Sequence, residues 1–466
     1  MASVVSKKDE SFRQYALTGS PMQVILSTCM PLALYQALQS IFKIVDAMMA
    51  SHISAEAVSS VSALAQITLM ITALGGGLAV GGSIKISEAY GRGDYTQVKR
   101  MVSTVYAMAV LISGVVVVVL VPFAEGFLRL LQTPEALIST GAGYFRVEIL
   151  SLVVSFFNTV FIAIERSRGH AKKILALNVG IIVIKLGLTA LFVYVLRGGV
   201  VMIAVATLAG QLVMMAYALV SMFRDTGAFR FSFREIRLRK DTVGPVTNLA
   251  YPVSAEKFLF AAGKVVVNAM CGSYGSLTVG ALGISNNIGG LTTSWHVGLT
   301  DGTAPLISQN RGAGNHRRTL QLFYRLLILN VTVGVIGFIL VSLCLPWLAR
   351  IFAQSKGTFD QAFCDMIVDI HRYEMFGYIM LGINSSSIAL LLGYGYTKLT
   401  MLLNVARVFA FRVPVLWFLQ NFTDLGPEAV GMTMMISNIC VGVSAIVVVI
   451  PVVLRIRKEI AREEAA

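Results

Sequence analysis

Charge is what this 466-residue chain has least of: 13% of its residues are Asp, Glu, Lys or Arg, against 56% apolar residues. Soluble domains carry about a quarter charged residues, so this composition excludes a soluble globular fold. Cysteine is scarce as well. Cys29, Cys271, Cys344, Cys364 and Cys440 are odd in number, scattered and without metal-ligand spacing, which excludes a disulfide framework; they read as small hydrophobes. The glycine runs Gly75–Gly77 and Gly81–Gly82 lack a Gly-Lys-Ser/Thr ending and a strand-loop-helix setting, so they predict close helix packing or bending and not a nucleotide loop. With no nucleophile elbow and no Cys/His cluster, the expectation is a non-enzyme without cofactor, driven by an ion gradient.

What the chain has instead is apolar runs of spanning length, each long enough to cross a hydrocarbon core of roughly 30 Å. About twelve recur between short polar breaks, which predicts an all-α polytopic membrane protein. The breaks alternate in charge. Those on the side of the termini hold about 25 lysines and arginines, whereas the opposite side holds Arg129, Arg197, Arg350 and Lys356. Both termini are therefore expected in the cytoplasm of a prokaryotic plasma membrane. The net charge of +14 then follows from topology and attraction to anionic membrane lipid, with no nucleic acid partner. The first apolar stretch has no Ala-x-Ala-like cleavage site after a short core, so it reads as an uncleaved helix.

The chain is also written twice. Val45-Asp46-Ala47-Met48 returns as Val267-Asn268-Ala269-Met270, Gly91-Arg92-Gly93-Asp94 as Gly312-Ala313-Gly314-Asn315, and Arg146-Val147-Glu148 as Arg372-Tyr373-Glu374. Asn158, Gly169, Lys172 and Asn178 match Asn384, Gly395, Lys398 and Asn404. Such duplication in an apolar chain points to a transporter whose halves move about a central site. The expected division is a six-helix lobe over 1–223, a cytoplasmic linker over 224–243, a second six-helix lobe over 244–453 and a tail over 454–466. In the linker Phe229, Phe231 and Phe233 alternate with polar and basic residues, a pattern read as anchoring at lipid headgroups.

The repeat, the Val-Asp-Ala-Met end of the first helix, the two Gly-x-Gly loops and the Arg168-Gly169 turn resemble multidrug and toxic compound extrusion (MATE) transporters over nearly the whole chain. The resemblance implies two six-helix lobes around a V-shaped cleft, alternating access by rocking, and export of lipophilic, often cationic, compounds in exchange for sodium ions or protons. A monomer with a small-molecule substrate and a coupling cation is expected. The alternative of the same architecture is a lipid or lipid-linked oligosaccharide flippase, which would line its cleft with positive charge; Lys43, Lys185, Lys257, Lys264, Arg407 and Arg412 keep it in view.

The resemblance carries residue roles only where the motif matches. Asp46 stands where the family binds its coupling cation, and a charge there costs about 2.5–3.5 kcal/mol on insertion scales, so it needs a partner or a task. The sodium-binding branches have Asn-x-x-Leu-Asp in helix five and Ala-Thr in helix six. Here the same register places Lys185 at the Asn and Thr189 at the Asp, while Thr207 is retained. Sodium needs oxygen ligands, and a lysine offers only donors. Two readings of Lys185 follow: its ammonium stands in for the cation and pairs with Asp46, making the site sodium-independent, or its amine reaches an aqueous cleft. Protons are favoured over sodium as coupling ion.

In the second lobe, the family Glu position in helix seven falls on Phe260, and the family Asp position in helix ten falls near Met380, with Asn384 one turn later. Glu256 is the acid present in helix seven and a secondary candidate for proton transfer. Asn178 and Asn384 complete the candidate cation-coupling or substrate-binding set. Asp301 reads as facing water, His296 as a satisfied polar residue inside helix eight, and the Arg146/Glu148 and Arg372/Glu374 pairs as a duplicated structural feature.

Overall fold

The computed structural model describes residues 6–50, 55–123, 125–126, 135–196, 198, 200–355 and 358–465; the side chains of 43–50, 55–67, 69–70, 135–141, 200, 276, 354–355 and 358–359 lie outside that description. A short amphipathic helix, α1 (Lys7–Thr18), precedes α2 (Pro21–Ala50), α3 (Ala55–Arg92), α4 (Tyr95–Leu120), α5 (Glu135–Ser167), α6 (Ala171–Ala190) and α7 (Val200–Arg224). The second half follows as α8 (Lys240–Cys271), α9 (Ser276–Gly312), α10 (His316–Ala353), α11 (Gln361–Glu374), α12 (Tyr378–Gly393), α13 (Thr397–Ala406), α14 (Val413–Phe422) and α15 (Glu428–Ala465). A two-residue antiparallel pair, β1 (Gln354–Ser355) with β2 (Thr358–Phe359), closes the turn after α10. A 3₁₀ turn joins α11 to α12, and a π-helical turn at Arg407–Arg412 joins α13 to α14, so each of these pairs forms one continuous traverse. Counted this way, α2 to α15 make twelve traverses, six per repeat.

Nine of them are long and apolar enough to cross a membrane by length and composition among the described residues. The other three, α3, α8 and α9, have spanning length at 38, 32 and 37 residues. The lower apolarity of α8 and α9 has a cause in their sequences, which carry Glu256, Lys257, Lys264, His296 and Asp301.

The duplication is written into the backbone. Gly93 and Gly314 take φ of +78° and +75°, and Gly169 and Gly395 take +76° and +80°, so each pair of matched loops turns through the same left-handed residue. After the first of these turns Asp94 caps α4 by accepting from the Gln97 amide at 3.0 Å. The fifth traverse of each repeat contains a π-helical turn, Leu191–Val195 after α6 and Arg407–Arg412 after α13.

Two compact units emerge from packing: residues Met1–Thr18 with Ile41–Phe258, and Gly19–Ser40 with Leu259–Ala466. The chain thus passes from one unit to the other inside α2 and inside α8. In the first unit α5 is the hub, packing on α3, α4 and α7; in the second α12 takes that part, packing on α9, α10 and α15. Glycine makes the approaches close. A Cβ on Gly77 would meet the Ala250 carbonyl at 2.6 Å and one on Gly81 the Ala250 nitrogen at 2.8 Å, so the glycine run of α3 is the groove in which α8 lies.

The connection between repeats departs from the headgroup anchor expected of it. Phe229 and Phe231 are buried, the first edge-on to Tyr90 and the second to Tyr106, and only Phe233 is exposed. The Ser232 and Arg237 amides donate to the hydroxyls of Ser103 and Thr104 on α4 at 3.0 and 3.1 Å. The alternating pattern was legible as an amphipathic strip, but its apolar side packs on protein.

Candidate functional site

In the first unit the polar groups singled out in α6 and α7 converge on one helix pair. Gly210 of α7 faces Ile181 and Lys185 of α6, a Cβ there standing 3.6 Å from the Lys185 Cβ. Because α6 and α7 run antiparallel across a short turn, Thr207, three residues before Gly210, comes to the level of Lys185 and Thr189. Thr207 returns its hydroxyl to the Ile203 carbonyl at 3.1 Å. Thr189 is fully buried, and its hydroxyl has no hydrogen-bond partner among the described residues. A buried hydroxyl left unmade is costly, so a ligand, water or undescribed side chain belongs beside it. Lys185 is partly buried.

The remaining candidates lie apart from that pair. Asn178, buried two turns earlier in α6, donates to the Ile174 carbonyl of its own helix at 2.8 Å. Glu256 is partly buried in α8. Asn384, buried in α12, belongs to the second unit, and its side-chain oxygen has no hydrogen-bond partner among the described residues. Asp46 sits in α2, but its side chain is outside the described residues, as is that of Lys43.

A second polar centre, in the second unit, escaped the sequence reading. Ser285 of α9, His371 and Glu374 of α11 and Tyr378 of α12 are all buried. Ser285 Oγ donates to Glu374 Oε2 at 2.6 Å and stands 2.8 Å from His371 Nδ1, while His371 Nε2 stands 2.8 Å from the Tyr378 hydroxyl. Gly289 of α9 leaves room beside them, since a Cβ there would lie 3.5 Å from Glu374 Oε1. Sequence read Arg146/Glu148 and Arg372/Glu374 as a duplicated structural feature; Arg146 lies 2.9 Å from Glu125, Arg372 is exposed near Glu428, and Glu374 turns inward. The span also starts earlier than expected, at Gln361, which puts His371 well within it. His296, read as a satisfied residue, is only half satisfied: its Nδ1 meets Asn330 Oδ1 at 2.9 Å, and Asn330 donates to Ser386 at 2.9 Å, while its buried Nε2 has no hydrogen-bond partner among the described residues.

Four basic residues inside the spans have contacts of their own. Arg407 and Arg412 both reach Asn438 of α15, and Arg412 also reaches Ser437. Lys257 folds over Gly76 of α3, and the Lys264 ammonium lies 5.4 Å from the Phe260 ring centroid.

At the loop end of the first unit Arg168 gathers three carboxylates: Asp9 of α1 at 3.0 Å, Glu165 at 3.3 Å and Asp225 at 2.5 Å. It also stacks 4.7 Å over Phe229. Burial alone would lower the Arg168 pKa, but Glu165, Asp9 and Asp225 outweigh it and hold the pKa above its ordinary value. Arg13 of α1 donates to the carbonyls of Tyr90 and Gly91 at 2.9 and 3.0 Å, and Phe12 fills the space over Gly169.

Two repeated sets of six traverses, with polar groups buried at membrane depth in each, define a polytopic helical membrane protein built by duplication. The chain belongs to the MatE family of transporters, whose model matches residues 31–191 and 252–418. It is 23% identical over 404 residues to the probable multidrug resistance protein YoeA of Bacillus subtilis (strain 168), covering 85% of this chain and 86% of that one. It is 22% identical to the probable multidrug resistance protein NorM of Thermotoga maritima, covering 86% of each. Among solved structures, a MATE protein in complex with MaL6 superposes with a TM-score of 0.92 at 18% identity, over 97% of this chain and all of that one. A transporter of the MOP superfamily from Pyrococcus furiosus, described as having a binding pocket of reversed polarity, superposes with a TM-score of 0.89 at 18% identity, over 98% and 99% of the two chains. At these identities the structures speak for the fold.

Proposed function

We propose that this chain is a secondary-active antiporter that exports lipophilic, cationic compounds in exchange for protons by alternating access. The relatives' names, multidrug resistance and multidrug export proteins, support the export half of that reading. The observation that carries the coupling half is the buried Thr189 hydroxyl, one turn from Lys185 and without a hydrogen-bond partner among the described residues. A sodium ion needs several oxygens around it, and a lysine beside a single hydroxyl meets that need poorly. In this reading Asp46, Lys185, Thr189 and Thr207 form the coupling region, with Asn178, Glu256 and Asn384 as further polar contacts, both termini cytoplasmic and the monomer as the working unit. The flippase alternative finds no support in the relatives' names, which are those of multidrug resistance and export proteins.

The test is efflux of ethidium from proteoliposomes under a pH gradient, with and without sodium, and with Asp46→Asn as control. Flux that follows protons, ignores sodium and is lost in Asp46→Asn is expected. Flux that requires sodium, or no flux under either gradient in folded protein, overturns the reading.

A further inference from the structure

We infer that Tyr378, His371, Ser285 and Glu374 form a proton relay inside the second unit, with Glu374 as the group that binds and releases the transported proton. The inference rests on the reading of the chain as a proton-coupled exporter and adds a site to it. Glu374 lies six residues before Met380, so it is not the acid that the family pattern places in helix ten.

The argument begins with which atoms have hydrogens to give. Ser285 has one. If its Oγ donates to the ionised Glu374 Oε2, 2.6 Å away, it must accept from His371 Nδ1–H, 2.8 Å away. A neutral imidazole protonated at Nδ1 accepts at Nε2, and the Tyr378 hydroxyl is there to donate, at 2.8 Å. Every hydrogen in the chain then points toward the carboxylate.

A proton arriving at the Tyr378 oxygen converts this arrangement into its mirror. The phenol hydrogen moves to Nε2, the Nδ1 hydrogen moves to Ser285 Oγ, and the serine hydrogen moves to Glu374. Each intermediate group ends with the hydrogen count it began with, and the carboxylate has gained one. The new bonds run the other way: Glu374 O–H to Ser285, Ser285 O–H to Nδ1, and Nε2–H to the Tyr378 oxygen. Both arrangements satisfy all four groups, so the proton can pass without leaving a buried polar atom unpaired. The Thr292 hydroxyl of α9 faces the Tyr378 oxygen at the entry end, and Gly289, one turn earlier on α9, packs beside Glu374, His371 and Tyr378.

The charge on Glu374 is felt elsewhere in the unit. His371 is 3.7 Å from the carboxylate on its own helix, and Arg407 and Arg412 of the π-helical turn act on it electrostatically. Asp369 and Arg372 stand on the outer side of α11, where Arg372 is 3.9 Å from Glu428 of α15. Cys271 at the end of α8 is the titratable group that faces Arg412 from that helix. Neutralising Glu374 therefore weakens the hold on the two arginines of the π turn, a means by which proton binding changes the helix pair α13–α14.

The experiment compares two modes in proteoliposomes. Ethidium counterflow without a pH gradient reads transport itself, and pH-driven ethidium accumulation reads coupling. Glu374→Gln and Ser285→Ala are expected to keep counterflow and lose at least tenfold of the pH-driven rate, with Ser285→Thr restoring it. Tyr378→Phe, which removes one oxygen and keeps the ring, gives the same reading if Ser285→Ala does not fold. A pH-driven rate in these variants within twofold of the unsubstituted protein overturns the relay. Absence of both modes in the unsubstituted protein overturns the transport reading instead. The relay is then still tested by infrared difference spectra between an acid and an alkaline state, where a carboxyl band must change and that change must vanish in Glu374→Gln.

Discussion

Arg311 lies 5.3 Å over the ring of Tyr394 and donates to the Tyr394 carbonyl at 2.6 Å; in the first repeat the matching positions are Tyr90 and Arg168, the same two residue types with their places exchanged. In the first unit the pair shares α1, Tyr90 donating to the Asp9 carbonyl and Arg168 binding the Asp9 carboxylate. In the second the arginine and tyrosine hold each other, and Tyr394 adds His316 at 3.1 Å and Thr319 at 2.9 Å. Burial pushes the Tyr394 hydroxyl pKa up to about 12, so it stays protonated at working pH. Arg311→Tyr alone should lower stability by about 1–3 kcal/mol, the cost of leaving partners unmade. Adding Tyr394→Arg should recover part of it, which a thermal-melting double-mutant cycle in detergent would reveal as coupling.

Arg168 is the keystone of the first unit's loop end. Removing one partner of a buried ion cluster costs about 3–5 kcal/mol, because the remaining charges stay buried and uncompensated. Arg168→Ala should therefore destabilise the protein by that order and free α1. Limited proteolysis would then cut near Arg13, a site that Tyr90 and Gly91 now hold.

The glycine groove of α3 makes a paired prediction. Gly77→Val should block folding or sharply reduce the yield of monodisperse protein, since its Cβ would strike the Ala250 carbonyl and the Ser254 amide at 2.6 and 2.8 Å. Gly114→Ala should be tolerated, because nothing among the described residues lies within 4 Å of a Cβ there. Size-exclusion profiles of the two variants decide it.

Lys185→Asn combined with Thr189→Asp should introduce sodium-dependent ethidium transport, where the unsubstituted protein is expected to be indifferent to sodium. Thr189 is fully buried, so Thr189→Asp alone places an acid beside Lys185 and is expected to give an ion pair without a sodium response. A folded double variant with no response to sodium would remove the argument that Lys185 stands in the cation's place.

The fold was legible because a bilayer imposes long apolar runs and duplication leaves matched polar loops; Gly93 with Gly314 and Gly169 with Gly395 turned out to be matched in backbone angle as well as in sequence. The α6–α7 candidates were named because the family pattern fixes their spacing. His371 and Glu374 were not, since their partners Ser285 and Tyr378 come from other helices and linear spacing does not reveal which face of α11 turns inward. Phe229 and Phe231 were misplaced for a related reason: an alternating aromatic strip looks the same whether it meets lipid or Tyr90 and Tyr106.

The compact units change hands inside α2, between Ser40 and Ile41, and inside α8, between Phe258 and Leu259. Duplication copies a chain from end to end, yet packing divides this one in the middle of each copy's first helix. A single copy ending before α8 would contain Gly19–Ser40, which packs with the other unit, and would lack the 240–258 stretch that completes its own. An ancestor of one repeat would accordingly have needed a second molecule to supply the missing half-helix, and the fused chain retains that exchange as a covalent dimer of swapped segments.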